Sequence, residues 1–136
     1  MTLLLDTCAA LWLVSGAGVS AAAQDALAKA QEEGEPVHVS PITGWEIGLL
    51  ALRGRFASPH PPKVWFDRLL GIGGVRLADL APSTFIDSSF LPGQPPRDPA
   101  DRIIIATARE QSLTIMTRDR HILDYGKAGH VLTLAC

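Results

Sequence analysis

The sequence predicts an α/β fold, an α/β/α sandwich in which helices cover both faces of a central parallel sheet of about five strands, formed by a single domain spanning residues 1–136. Three observations point there. Short, wholly apolar runs such as Leu3-Leu4-Leu5 and Leu113–Thr117 have the look of strands buried on both faces. Helix-forming segments separate these runs, as parallel crossovers require. Acidic residues follow directly on two of the runs, Asp6 on the first and Asp119 close behind the fourth. That is the edge where open parallel sheets place their ligands.

Each element has its own justification. Leu3–Leu5 is the first strand, and Asp6-Thr7 starts a helix from Cys8 to about Val14, with either residue able to cap it. Gly16–Gly18 form a loop. Ser20–Glu33 is rich in alanine, reads as a helix, and stops at Gly34. Pro36–Val39 is the second strand, where His38 alternates with valines and reads as structural. Ser40-Pro41 opens the helix SPITGWEIGLLALRGR, closed by Gly54, and Lys63–Leu70 is the next helix after a proline-rich loop. Val75–Leu80 alternates as a third strand, Pro82–Leu91 is a helix, and Pro92–Pro96 is a stiff loop. Asp98-Pro99 reads as an N-cap and first helical position. Leu113–Thr117 is the fourth strand, Arg120–Tyr125 a short helix ended by Gly126, and Val131–Leu134 the last strand.

Composition narrows the chemistry. With 136 residues and 47% hydrophobic content the chain can bury a substantial core. A net charge of −2 excludes a broad basic surface of the kind that binds nucleic acid generically, while leaving room for a few local arginines. Cys8 and Cys136 show no paired spacing, so neither a zinc site nor a disulfide framework is expected. The opening MTLLLDTCAALWLV carries Asp6 and no basic residue, unlike a signal peptide, and no run reaches the ~18 apolar residues of a membrane span. The expectation is a cytoplasmic protein without a membrane contact.

The candidate site rests on four scattered acids. On a 3.6-residue wheel Asp101 lies within about 60° of Ile104, Ile105 and Ala108, so a carboxylate stands in line with the buried stripe. Capping of the helix by Asp98 and Asp101 is the plain alternative. Glu46 shares an arc with Ile42, Leu49, Leu50 and Arg53, beyond the first turn where capping could account for it, and a Glu46–Arg53 surface pair is its plain alternative. Asp6, Glu46, Asp101 and Asp119 can converge at one sheet edge, and four such carboxylates cannot all ionise without cations. Hard oxygen ligands at an open cleft suit Mg²⁺ or Mn²⁺ and metal-assisted hydrolysis of a phosphodiester. Arg97, Arg102, Arg118 and Arg120 flank the acids and are candidates for holding substrate phosphate, against the alternative of solvated surface.

The stretches LLLDTCAALWL, SPITGWEIGLLALRGR, DPADRIIIATA and LTIMTRDRHILDY, in that order, resemble PIN-domain ribonucleases, specifically VapC-type toxins of type II toxin–antitoxin pairs. The resemblance implies a PIN-like fold and an Mg²⁺- or Mn²⁺-dependent endoribonuclease. It implies catalytic roles for Asp6, Glu46, Asp101 and Asp119, with Asp6, Asp101 and Asp119 on the metal and with Asp98 and Thr117 supporting them. It also implies an RNA substrate, a small cognate antitoxin and a homodimer, for which Trp45, Leu49, Leu52, Trp65 and Phe66 are candidate surfaces if the core does not claim them. Cys8, and Pro96-Arg97 ahead of Asp98, stand where relatives often carry histidine. Two alternatives remain at this point: a catalytically inactive interaction module of the same fold, and a phosphoryl-transfer enzyme using Asp6 as nucleophile. The latter wants a second acid two residues on, where this chain has Cys8.

Overall fold

The structure, a computed structural model, describes residues 1–136. Its elements are β1 (Leu3–Leu5), α1 (Thr7–Ser15), α2 (Ala21–Glu32), β2 (Val37–Val39), α3 (Ile42–Leu52), α4 (Pro62–Leu70), β3 (Val75–Leu77), α5 (Pro82–Ser88), α6 (Pro99–Gln111), β4 (Thr114–Thr117), α7 (Arg120–Lys127) and β5 (Leu132–Ala135). The five strands form one sheet in the order β3-β2-β1-β4-β5, with every pairing parallel. The α/β/α sandwich read from the sequence is therefore what the chain forms.

Alternation along the strands sorts the core into two layers. Leu3, Leu5, Val37, Val39 and Met116 face the layer of α1, α2 and α4, where Ala9, Ala10, Ala23, Ala30, Trp65 and Leu69 are buried. Leu4 and Ile115 face the opposite layer, with Ile104, Ile105 and Ala108 of α6 and Ile122 and Tyr125 of α7. The apolar stripe expected on α6 is thus the face that packs on the sheet, and Asp101 sits at its head.

Some boundaries differ from the sequence expectation. β3 stops at Leu77, since it is an edge strand and the Ala78 N–H that closes its pairing to Val39 is the last ladder bond before Pro82 redirects the chain. α5 ends at Ser88, whose hydroxyl turns back to the Phe85 carbonyl at 2.6 Å. α7 runs through Gly126 to Lys127, because this glycine serves packing: a Cβ on it would fall 2.5 Å from Thr133 Oγ1 of β5. β5 begins one residue later than expected, at Leu132.

Strand order decides where a ligand fits. β1 pairs with β2 on one side and β4 on the other, so the connections leave in opposite directions and a crevice opens at the carboxyl ends of β1 and β4. Asp6 directly follows β1, and Asp119 lies two residues past β4. Helices α1, α3, α6 and α7 begin at the same edge.

Candidate metal centre and acidic cleft

Three of the acids start helices. Asp6 caps α1, its Oδ1 accepting from the Ala9 N–H at 2.8 Å. Asp98 caps α6 through the Asp101 N–H at 3.0 Å, and Asp119 caps α7 through the Ile122 N–H at 3.0 Å. Each therefore stands where backbone donors and the positive helix end favour a carboxylate. Capping of α6 falls to Asp98, so it does not account for Asp101.

A cleft of about 480 Å³ gathers these residues. Asp6, Glu46, Asp98, Asp101 and Asp119 all line it, together with Thr7, Cys8, Trp12 and Arg118. The Asp6 side chain is buried and its Oδ2 accepts from the Thr117 hydroxyl; that same oxygen of Thr117 accepts the Asp119 N–H at 2.9 Å. Thr117 thereby ties the first acid to the last. Glu46 accepts from the Thr7 hydroxyl at 2.5 Å, and Thr7 Oγ1 lies 3.0 Å from Thr43 Oγ1. Glu46 makes no ion pair with Arg53: the ion pairs of the chain are Met1–Glu35 and Lys29–Glu33.

Crowding shows in the acidities. Burial pushes the Asp101 carboxyl up to about 7, aided by the charges of Asp98, Asp119, Glu46 and Asp6. Asp6 is also raised, by burial above all, with Thr117 and the Ala9 N–H pulling the other way and Asp119 adding to the rise. Glu46 is raised by burial, opposed by the Thr7 hydrogen bond, with Asp98 and Asp6 contributing. Cys8 is an exposed residue, yet desolvation on its cleft side and then the fields of Asp6, Glu46, Asp101 and Asp119 push its thiol to about 11. Such a site resists full ionisation.

The donor set, all carboxylate oxygen at an open cleft, fits a hard divalent ion such as Mg²⁺ or Mn²⁺. As placed, no three of these side chains are drawn together into a finished set of ligands. Asp6, Asp101 and Asp119 are the residues that would hold the ion, with Glu46 lining the same cleft.

The arginines divide. Arg118 is the single cation on the acidic cleft; its guanidinium lies 3.8 Å from the Trp12 ring centroid and donates to the Gly18 carbonyl at 2.7 Å. That clamp holds it beside the carboxylates without an ion pair to any of them. Arg97 lines an adjoining groove, Arg102 turns its Nε to the Pro96 carbonyl at 2.7 Å, and Arg120 is exposed without lining either space. His38 is half-buried in β2, away from the cleft, with its Nδ1 unpartnered. Of the candidate surface residues, Trp65 is core, Leu49 and Phe66 are half-buried, and Trp45 and Leu52 are 51% and 82% exposed.

Thr7, Thr43, Cys8 and Trp12 belong to the site and were not singled out for it from the sequence. Thr7 follows Asp6 directly, and Thr43 precedes Glu46 by three, one helical turn. Those spacings were the available signal. Trp12 had none, since its partner Arg118 lies at the far end of the chain.

Comparison with known proteins bears on the fold and the family. The family model for the PIN domain matches residues 3–128. Ribonuclease VapC22 of Mycobacterium tuberculosis is 34% identical over 122 residues, covering 89% of each chain. Among solved structures, VapBC2 from Rickettsia felis bound to a promoter DNA fragment superposes with a TM-score of 0.67 at 11% identity, over 99% of this chain and 98% of that one. FitAcB from Neisseria gonorrhoeae superposes with a TM-score of 0.59 at 21% identity, over 98% and 96% of the two chains. The family model over most of the chain and a relative at 34% identity lead to one family: the chain belongs to the PIN-domain proteins.

Proposed function

We propose that this protein is a divalent-metal-dependent endoribonuclease, hydrolysing RNA phosphodiester bonds in the cytoplasm as the toxin of a type II toxin–antitoxin pair. The observation that carries this is a single cleft at the sheet switch point lined by Asp6, Glu46, Asp98, Asp101 and Asp119, with Asp101 held near neutrality by burial and by its neighbours. A relative named as a ribonuclease, 34% identical along most of the chain, supports the choice of substrate.

Bound Mg²⁺ or Mn²⁺ supplies Lewis-acid polarisation of the phosphoryl oxygen and a water of lowered pKa. The chain's own residues do the rest. Asp6 has each oxygen fixed by one donor, Ala9 N–H and Thr117 hydroxyl, so its remaining lone pairs are aimed rather than free to swing. Glu46 has one oxygen held by Thr7, which leaves the other to orient water and take its proton. Arg118, stacked on Trp12, has donors left for a substrate phosphate. The phosphoryl-transfer alternative is disfavoured because position 8, where a second acid would be wanted, is Cys8.

The test is cleavage of single-stranded and stem-loop RNA by the purified protein. Cleavage is expected to vanish in EDTA, return with Mg²⁺ or Mn²⁺, and be lost in Asp101→Asn. Undiminished cutting in EDTA refutes the metal, and no cutting under any condition favours the inactive module. Exposed Trp45 and Leu52 on α3 support a partner-binding face for a second copy or a small antitoxin. Calorimetry with the product of the neighbouring short reading frame is expected to show binding at micromolar concentration or tighter, and none would remove the antitoxin.

A further inference from the structure

Next to the acidic cleft lies a larger groove of about 1070 Å³, and the two share Asp98 and Asp101 as a common wall. Gln94, Arg97, His121, Asp124, Tyr125 and His130 line it, none of them used by the chemistry above. One wall is the segment 92–97, and it is fastened at three points. The Tyr125 hydroxyl donates to the Pro92 carbonyl at 2.5 Å. The His130 ring lies against Gly93, so close that a Cβ there would be 2.5 Å from Nε2, and φ at Gly93 is +66°. Arg102 Nε holds the Pro96 carbonyl at 2.7 Å. His130 is itself stacked on Tyr125 with ring centroids 4.8 Å apart, and Arg109 donates to its carbonyl. Three prolines among these residues stiffen what the side chains hold. The groove is therefore built before any ligand arrives.

Its chemistry selects the occupant. Of its twelve lining residues only Tyr125 and Ala128 are hydrophobic, so the groove offers fewer apolar anchors for a peptide than polar partners for a nucleotide. A site for phosphate alone would present donors, whereas this groove mixes donors (Arg97, His121), acceptors (Asp124, with Asp98 and Asp101 on the shared wall) and an amide that is both (Gln94). Mixed donors and acceptors match the edge of an unpaired base. The volume accommodates at least one nucleotide, since ordinary ligand pockets span roughly 300–1000 Å³. We infer that this groove is a preformed subsite that reads a base of single-stranded RNA on one flank of the scissile phosphate, with Gln94, His121 and Asp124 facing the base and Arg97 facing the backbone. It rests on the nuclease function proposed above and adds a sequence preference to it.

Two measurements test it with the full chain. In the first, a single-stranded RNA library randomised around a fixed centre is cut with Mn²⁺ and the ends are sequenced. Wild type is expected to show a base preference on one side of the cut. Gln94→Ala and His121→Ala should flatten that preference roughly tenfold, read as the ratio of favoured to disfavoured ends within each variant's own products. In the second, the library carries 4-thiouridine and is photo-crosslinked in EDTA, with attachment mapped to the 93–97 segment or to α7. Absent or unaltered preference in both variants, or crosslinks only elsewhere while RNA is still cut, overturns the subsite and leaves the nuclease standing. RNA that is neither cut nor crosslinked overturns both. Crosslinking of the neighbouring gene product to this segment, with RNA excluded, makes it a peptide site and overturns the proposal. Urea unfolding of the two variants confirms that each is folded.

Discussion

Asp98 and Asp101, one helical turn apart at the head of α6, divide two tasks that sequence alone assigns to either. Asp98 takes the backbone N–H of Asp101 and secures the helix end. Asp101 spends its carboxylate on the cleft, against burial and four like charges. Asp98→Ala should therefore lose ~1 kcal/mol, the ordinary cost of a missing cap. Asp101→Ala in metal-free buffer should lose less or gain, while abolishing RNA cleavage. Urea unfolding with parallel assays checks this, and an Asp101→Ala variant that cuts normally removes the residue from the chemistry. The same residue fixes a pH dependence. Below an ordinary carboxyl value of 3.8, Asp101 is protonated in folded and unfolded chains alike, with no penalty. As pH rises the unfolded chain ionises first, whereas the folded one holds its proton to about 7, so stability is lost between those values. In EDTA the protein should be more stable at pH 5 than at pH 8, by denaturant midpoint, and Asp101→Asn should narrow the gap. Cys8 offers a readout of the same field. With its thiol near 11 against an ordinary 9.0, alkylation by iodoacetamide at pH 8 should be slower than in the unfolded chain, by up to about a hundredfold. Added Mn²⁺ should speed it by neutralising the acids, and a rate insensitive to metal would place Cys8 outside their influence.

Helix α7 shows how an element obeys tertiary demands over its own sequence. A glycine near the end of a short helix reads as a terminator, yet Gly126 lies inside α7 because Thr133 of β5 occupies the space a Cβ would need. Alanine is normally the better helix former by ~1 kcal/mol. Gly126→Ala should nevertheless destabilise by about 1–3 kcal/mol, as overpacking does, and a raised melting temperature would contradict the packing account. Element existence and order were legible throughout, because apolar runs, caps and prolines are local signals. Asp6, Glu46, Asp101 and Asp119 were legible as a set for a related reason: strand ends and helix starts of a parallel sheet share an edge. What stayed hidden depends on side chains meeting across the fold. Thr7 and Glu46 bond from 39 residues apart, and the Trp12–Arg118 stack joins α1 to the segment after β4. The pinned groove wall unites segment 92–97 with α6, α7 and His130, and no spacing rule links them.

At the scale of the molecule, one sheet carries both the core and the site, so site chemistry and folding are coupled. A divalent ion that binds only the assembled cleft should stabilise the whole chain, by ~2.7 kcal/mol at a hundredfold excess over its dissociation constant. Melting curves with Mg²⁺ titrated against EDTA check this, and Asp101→Asn should blunt the response; no shift in wild type would mean that the assembled acids do not retain the ion. The strand order has a consequence for how the protein is made. β1 lies at the centre of the sheet and is the first strand to be synthesised, but its neighbour β4 ends at Thr117 and Asp119 comes later still. A ribosome adding about 5–20 residues per second takes roughly 6–23 s to pass from Asp6 to Asp119. Throughout those seconds the growing chain carries Asp6 with no Thr117 to orient it and no Asp119 to complete the acids. A chain stalled before Asp119 has no finished cleft, and the nuclease we propose becomes competent to cut RNA only after its message has been read through that codon.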